Sequence, residues 1–195
     1  MLNKNINIDL HIHSKASEYK ETSGFVDNGT IENLPTLFSA LEKNNIGLFS
    51  ITDHNRFNVE LYLECKKIIA SKSYPSVQGI VAGVEFDVLL EDDMHPCHIV
   101  TIFDAKNNND YLSIDHVIKL NLLKNPKDYY TREKYEEILR KIGLNTLLIV
   151  HQKTSLDRVD KTTKSLSGSV ANPYKAIKVG YINALEYQKI KLKEF

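Results

Sequence analysis

Six residues of types that bind metals lie at the ends of apolar runs in this sequence. They are His11, His13, His54, Glu85, His98 and His151. His11 and His13 alternate in the segment Asp9-Leu10-His11-Ile12-His13-Ser14, and alternate residues of an extended chain point to the same side. Two imidazoles in this arrangement are typical of a shared metal ion, although an exposed or hydrogen-bonded pair of histidines gives the same pattern.

The other positions also have structural alternatives when each is taken alone. His54 follows an apolar strand, where the adjacent Asp53 could orient an imidazole or could cap a helix. Glu85 follows Val81-Ala82-Gly83-Val84 and could bridge two metals, or could lie on the surface where a strand ends. Together the six residues predict a multinuclear site for Zn²⁺, Mn²⁺ or Fe, because imidazole with carboxylate suits these ions better than Ca²⁺ or Mg²⁺.

Short apolar runs that alternate with longer amphipathic segments predict an α/β fold. The predicted strands are residues 6–10, 46–51, 79–90, 97–103, 146–150 and 182–187. The predicted helices are residues 30–45, 57–72 and 131–143, and a further helical segment contains His116, which we expect to be structural or exposed. Residues 91–96 predict a hairpin connection, and residues 105–111 and 154–169 predict exposed loops.

Composition excludes several classes of protein. The 195 residues are 42% apolar and 26% charged, which is typical of a folded domain and not of a disordered chain. No run of about 20 apolar residues predicts a membrane span, and the N-terminus has no apolar segment of signal-peptide length. Two cysteines, Cys65 and Cys97, cannot form a disulfide framework, so we expect a cytoplasmic protein.

The net charge of zero argues against binding to nucleic acid through bulk positive potential. The zero conceals an asymmetry, because residues 153–195 carry nine basic and four acidic side chains, and the first 152 residues carry 16 and 21. All seven histidines lie in the acidic part. Carboxylates and imidazoles are therefore concentrated together, which favours metal chemistry.

In order and spacing, these motifs resemble the PHP (polymerase and histidinol phosphatase) family of metal-dependent phosphoesterases. The matching pieces are residues 9–14, residues 52–55, residues 83–85, His98 within its strand, and His151 after Leu-Ile-Val. The resemblance covers nearly the whole chain and implies a distorted (β/α)7 barrel with two or three divalent metal ions at the ends of its strands.

The resemblance also implies a set of ligands. His11 and His13 would share one ion with Glu85, Glu85 would bridge to a second ion held by His98 and His151, and His54 would bind a third. Glu18, five residues after His13, corresponds to a position where the family often has a further acidic or histidine ligand.

The chain departs from the family pattern at its C-terminal end. Family members complete the site with an Asp-x-His on a late strand, and the two such motifs here, beginning at Asp9 and Asp93, belong to other segments. We therefore expect residues 1–195 to be a single PHP-like domain, incomplete at the C-terminus and forming the N-terminal part of a longer protein. A polymerase or an ATPase, fused or associated, is the partner that the family resemblance implies.

The function predicted on these grounds is hydrolysis of phosphate esters, either phosphomonoesters or phosphodiesters of nucleic acid, by metal-activated water. Asp53 or His54 would protonate the leaving oxygen. Lys153 and Arg158, in the basic segment after His151, would contact the substrate, although a solvated basic surface is an equal alternative.

Two other functions stay open on the sequence. A PHP-like fold without the late Asp-x-His could serve as a non-catalytic scaffold within a larger nucleic-acid-processing ATPase or polymerase. Amide hydrolysis or deamination on a related barrel would also use a His-x-His motif, but it commonly needs a bridging lysine, and no lysine lies at a predicted strand end.

Overall fold

Strands and helices alternate along the part of the chain that the computed structural model describes, which is residues 7–20, 29–89, 97–152 and 184–187. The strands are β1 (Asn7–Ile12), β2 (Ile46–Ile51), β3 (Gly79–Ile80), β4 (Ala82–Leu89), β5 (Cys97–Phe103), β6 (Tyr130–Thr131), β7 (Thr146–Gln152) and β8 (Ala184–Tyr187). The helices are α1 (Leu34–Lys43), α2 (Val59–Ser71), α3 (Asn108–Leu120) and α4 (Arg132–Ile142). The predicted α/β class is confirmed.

The structure has two sheets, and the chain passes directly from β3 in one sheet to β4 in the other. A parallel sheet has the order β1–β2–β3, and a mixed sheet has the order β6–β4–β5–β7–β8. Only Val81 separates β3 from β4, and its N–H donates to the Phe49 carbonyl of β2 at 3.0 Å. No pairing among the described strands closes the sheets into the barrel that the family resemblance implies.

A backbone bridge between the segment after β2 and strand β4 joins the two sheets. His54 and Glu85 pair in parallel, the Asn55 N–H donates to the Glu85 carbonyl at 2.8 Å, and the Glu85 N–H donates to the Asp53 carbonyl at 3.2 Å. The segment after β2 therefore lies beside the middle of β4.

Helices cover the sheets through the apolar faces that their sequences predict. The buried side chains of α1 are Leu34, Leu37, Phe38 and Leu41, which recur at helical spacing. Helix α4 begins after Thr131, whose side chain accepts a hydrogen bond from the Lys134 N–H, and it ends at Gly143, whose φ of 70° is left-handed. None of the described helices is both long and apolar enough to span a membrane.

The prediction of a loop over residues 105–111 is wrong in its second half, because α3 begins at Asn108. Asn107 accepts hydrogen bonds from the N–H groups of Asn109 at 2.8 Å and Asp110 at 3.3 Å, and the Asp110 carboxylate accepts one from the Asn107 N–H at 3.1 Å. This capping box satisfies N–H groups that have no partner within the helix, so an asparagine-rich segment typical of a loop instead starts a helix.

The predicted hairpin is described only in part. Strands β4 and β5 pair antiparallel, as the prediction requires, with Asp87 opposite His98. Their connection at residues 90–96 lies outside the described residues, as does the basic segment at residues 154–169.

Candidate metal centre

The first group of possible ligands lies where the end of β1 meets the middle of β4. His11 Nε2 is 3.1 Å and His13 Nε2 is 3.2 Å from Glu85 Oε2. Both imidazoles are partly buried, whereas Glu85 is only 1% exposed. Glu85 is thus a buried residue in mid-strand and not a surface residue at a strand end, and the three side chains are close enough to hold one ion.

The second group combines the loop after β2 with the paired strands β4 and β5. Asp87 Oδ1 lies 3.4 Å from His54 Nδ1 and 3.1 Å from His98 Nε2. The antiparallel register places Asp87 opposite His98, which explains their contact. Sequence reasoning missed Asp87, although its two-residue separation from Glu85 puts both carboxylates on one face of β4.

Glu85 also contacts the second group. Its Oε2 lies 3.5 Å from His54 Nε2, and its Oε1 lies 2.7 Å from His98 Nδ1. The imidazoles of His13 and His54 stack with centroids 4.8 Å apart. One carboxylate therefore lies among four imidazoles and could bridge ions bound on its two sides.

Both carboxylates are held in their ionised forms. Burial raises the pKa of Glu85, but the imidazoles of His11 and His98 and the charge of His54 outweigh it, so that this pKa lies well below its usual value. Burial likewise raises the pKa of Asp87, and the imidazoles of His54 and His98 with the Lys20 ammonium lower it overall. Ionised carboxylates are the form that binds cations.

The donor atoms of this cluster fit a divalent metal. Glu85 Oε1, Asp87 Oδ1 and His98 Nε2 are buried and have no hydrogen bond of acceptable geometry among the described residues, although imidazole nitrogens approach both oxygens within 3.1 Å. Buried polar atoms without hydrogen bonds are costly. Imidazole nitrogens and carboxylate oxygens that converge in this way are the ligand set of Zn²⁺, Mn²⁺ and Fe.

Asp53 is buried behind the first group. Its Oδ1 accepts hydrogen bonds from the Ser14 N–H at 2.7 Å and the Ser17 hydroxyl at 2.8 Å, and its Oδ2 accepts one from the Ser14 hydroxyl at 2.5 Å. Burial raises the pKa of Asp53 despite these donors. The described hydrogen bonds of this carboxylate therefore hold the loop after β1.

Ser17 connects Asp53 to the imidazole of His13. Its oxygen accepts the His54 N–H at 3.0 Å and lies 3.4 Å from His13 Nδ1. Because the only proton of the hydroxyl goes to Asp53, Ser17 can only accept from His13. The tautomer that fits this contact has its proton on His13 Nδ1, and in that neutral ring the lone pair of Nε2 faces Glu85, as a metal ligand requires.

Asn55 and Tyr19 hold the second group. The Asn55 side chain donates to Asp87 Oδ2 at 2.6 Å and accepts the Asp87 N–H at 2.9 Å. Its φ of 52° is left-handed, a conformation that asparagine adopts more readily than most residues. The Tyr19 hydroxyl donates to the His54 carbonyl at 2.7 Å.

The remaining predicted residues lie apart from these groups or outside the described residues. Glu18 is exposed and belongs to neither group. His151 lies in β7 with its backbone opposite Glu186 of β8, but its side chain is not among those described. Lys153 and Arg158 lie outside the described residues. His116 is exposed on α3, as predicted.

No family model matches the chain, and no curated protein matches it in sequence. Among solved structures, the chain is similar to a provisionally named metal-dependent phosphoesterase from Bifidobacterium adolescentis, at 10% identity and a TM-score of 0.48, over 92% of this chain and 76% of that one. It is also similar to an amidohydrolase from Chromobacterium violaceum with bound sulfate and no metal, at 12% identity and a TM-score of 0.43, over 92% and 76% of the two chains. At these values neither likeness identifies a family or an activity.

Proposed function

We propose that this protein is a metal-dependent phosphoesterase. One ion would be held by His11, His13 and Glu85, and a second by His54, Asp87 and His98, with Glu85 between them. The observation that carries the proposal is the buried Glu85 carboxylate, which lies among four imidazoles. The order of the motifs, which resembles that of PHP phosphoesterases, supports phosphate esters as substrates.

Divalent ions bound here would lower the pKa of a water molecule toward neutrality and offset charge on the phosphoryl oxygens. The residues of the chain prepare the site for this chemistry. Glu85 and Asp87 supply ionised carboxylates in a buried setting, and Ser17 presents His13 with its Nε2 lone pair toward Glu85. Asp53 is bonded to Ser14 and Ser17, so we assign it positioning of the ligands and not proton transfer.

The experiment that tests the proposal compares metal content with hydrolysis of a model phosphodiester, bis(p-nitrophenyl) phosphate, in Mn²⁺. The double variant His11→Ala, His13→Ala removes two ligands of the first group, and we expect kcat/KM to fall about 100-fold or more, with less Mn²⁺ bound. The matched control is His116→Ala, which removes an exposed imidazole far from both groups along the chain.

Two outcomes would contradict the proposal. Full hydrolysis by the double variant would show that the activity does not depend on this site. Purified protein without bound metal and without gain on adding Mn²⁺ would favour the non-catalytic scaffold instead.

A further inference from the structure

A largely buried ammonium lies across Asp87 from the imidazoles of the second group. Lys20 Nζ forms an ion pair with Asp87 Oδ2, whereas Oδ1 of the same carboxylate faces His54 and His98. The Lys20 side chain is only 10% exposed. One carboxylate thus separates Lys20 from the proposed ligands of a metal ion.

Lys20 has donor capacity that Asp87 does not use. An ammonium carries three N–H donors, and Asp87 is its hydrogen-bond partner within the described part of the chain. The nearby aromatic rings of Tyr19 and Tyr129 lie 6.0 and 5.6 Å from Nζ, and ring faces attract a cation without replacing oxygen acceptors. The remaining donors can therefore bind an anion.

The charge of the loaded site also favours an anion. With neutral imidazoles, Glu85, Asp87 and Lys20 together leave one negative charge. Two divalent ions would outweigh this single negative charge and make the cluster strongly positive, with one of the ions across Asp87 from the Lys20 ammonium. A further anion that contacts both cations would offset this excess positive charge. A tetrahedral oxyanion such as a phosphoryl group can contact an ammonium and a metal ion at once.

We propose that Lys20 binds the phosphoryl oxygens of the substrate and that Asp87 and the two tyrosine rings position its ammonium for this contact. The inference rests on the proposed function and adds a substrate-binding residue to it. A purely structural role is the alternative, in which the ion pair only fastens residues 18–20 to β4.

Binding of inorganic phosphate to the Mn²⁺-loaded protein, measured by calorimetry, separates the two roles. For Lys20→Met we expect phosphate to bind about tenfold more weakly or worse, because a charge-assisted hydrogen bond is lost. Affinity for Mn²⁺ should be unchanged or tighter, since a neighbouring positive charge is removed. Lys20→Arg, which keeps the charge, should recover part of the phosphate affinity.

The matched control is Lys66→Met, because Lys66 also lies over a tyrosine ring, 4.7 Å from the Tyr111 centroid, but outside both metal groups. Unchanged phosphate affinity in Lys20→Met, or parallel loss of Mn²⁺ and phosphate binding in a folded variant, would overturn the inference alone. Wild-type protein that binds no Mn²⁺ would overturn the proposed function and this inference with it.

Discussion

At the scale of single residues, the direction in which the Ser17 hydroxyl donates its proton determines which tautomer of His13 fits the first group of ligands. The hydroxyl donates to the buried Asp53 carboxylate, so its oxygen is left to accept from the His54 N–H and from His13 Nδ1. Asp53 and Ser17 thereby select the tautomer of the His13 imidazole, although neither of them is itself a proposed ligand of the metal ion. We therefore assign the buried Asp53 carboxylate the role of positioning the His13 ligand.

Replacement of Ser17 by alanine should weaken Mn²⁺ binding about 10- to 100-fold, the usual range for groups that orient metal ligands. A chelator-competition titration measures this change, and ¹⁵N NMR of His13 should show loss of the Nδ1-protonated tautomer. Ser39→Ala on α1 is the control, because that exposed hydroxyl bonds only to the Pro35 carbonyl among the described residues. Equal Mn²⁺ affinity in Ser17→Ala and Ser39→Ala would refute the tautomer argument.

At the scale of elements, the approach of β4 to β2 depends on Gly83. A Cβ at this position would lie 2.7 Å from Thr52 Cγ2 and 2.8 Å from Ile102 Cδ1, and still closer to the Ser50 hydroxyl. The Gly83 N–H donates to the buried Tyr62 hydroxyl at 3.0 Å. Helix α2 and three strands therefore meet two residues before Glu85.

Gly83→Ala should lower the free energy of unfolding by about 1–3 kcal/mol, because a well-packed contact must open to admit the methyl group. Gly79→Ala is the matched control in the preceding strand β3, where the nearest atom to a new Cβ is the flexible end of Leu48 at 3.1 Å. Urea denaturation of both variants measures the difference. An equal loss in the two variants would show that crowding at Gly83 does not control the packing.

The elements that sequence reasoning predicts well are those with a clear hydrophobic period. Residues 46–51 and 97–103 form β2 and β5 with the predicted bounds. The start of α3 is mispredicted because the cap and first turn consist of asparagine and aspartate, whose value as helix caps depends on backbone geometry. The two-residue strand β6 is too short for any period.

The residues of the candidate site also divide into those that sequence reasoning predicts and those that it misses. Strand alternation suffices to pair His11 with His13, and the family resemblance implies that Glu85 shares their ion. The structure brings these three side chains together. Asp87 and Lys20 escape such reasoning, because the burial of an ion pair depends on contacts between β4 and a turn 67 residues earlier. For Asp87, the available sequence signal is its position two residues after Glu85, on the same face of the predicted strand.

At the scale of the whole molecule, the candidate metal centre lies where the two sheets join. Its residues come from β1, β4, β5 and the loops after β1 and β2, and the backbone bridge between His54 and Glu85 runs through it. Ions bound there would contact both sheets at once. Metal binding and the stability of the fold are therefore expected to be linked, since the unfolded chain does not bring these ligands together.

Chelation of the metal-loaded protein should consequently lower its Tm. At a free Mn²⁺ concentration about 100 times the Kd, binding contributes about 2.7 kcal/mol, which for a domain of this size corresponds to about 5–10 °C. Differential scanning calorimetry with and without a chelator measures the shift. Glu85→Gln should lose most of it, because the bridging charge is gone, whereas His116→Ala should keep it in full. If the wild type lost its metal without any change in Tm, the ions would not hold the two sheets together, and the centre would lie outside the cooperative part of the fold.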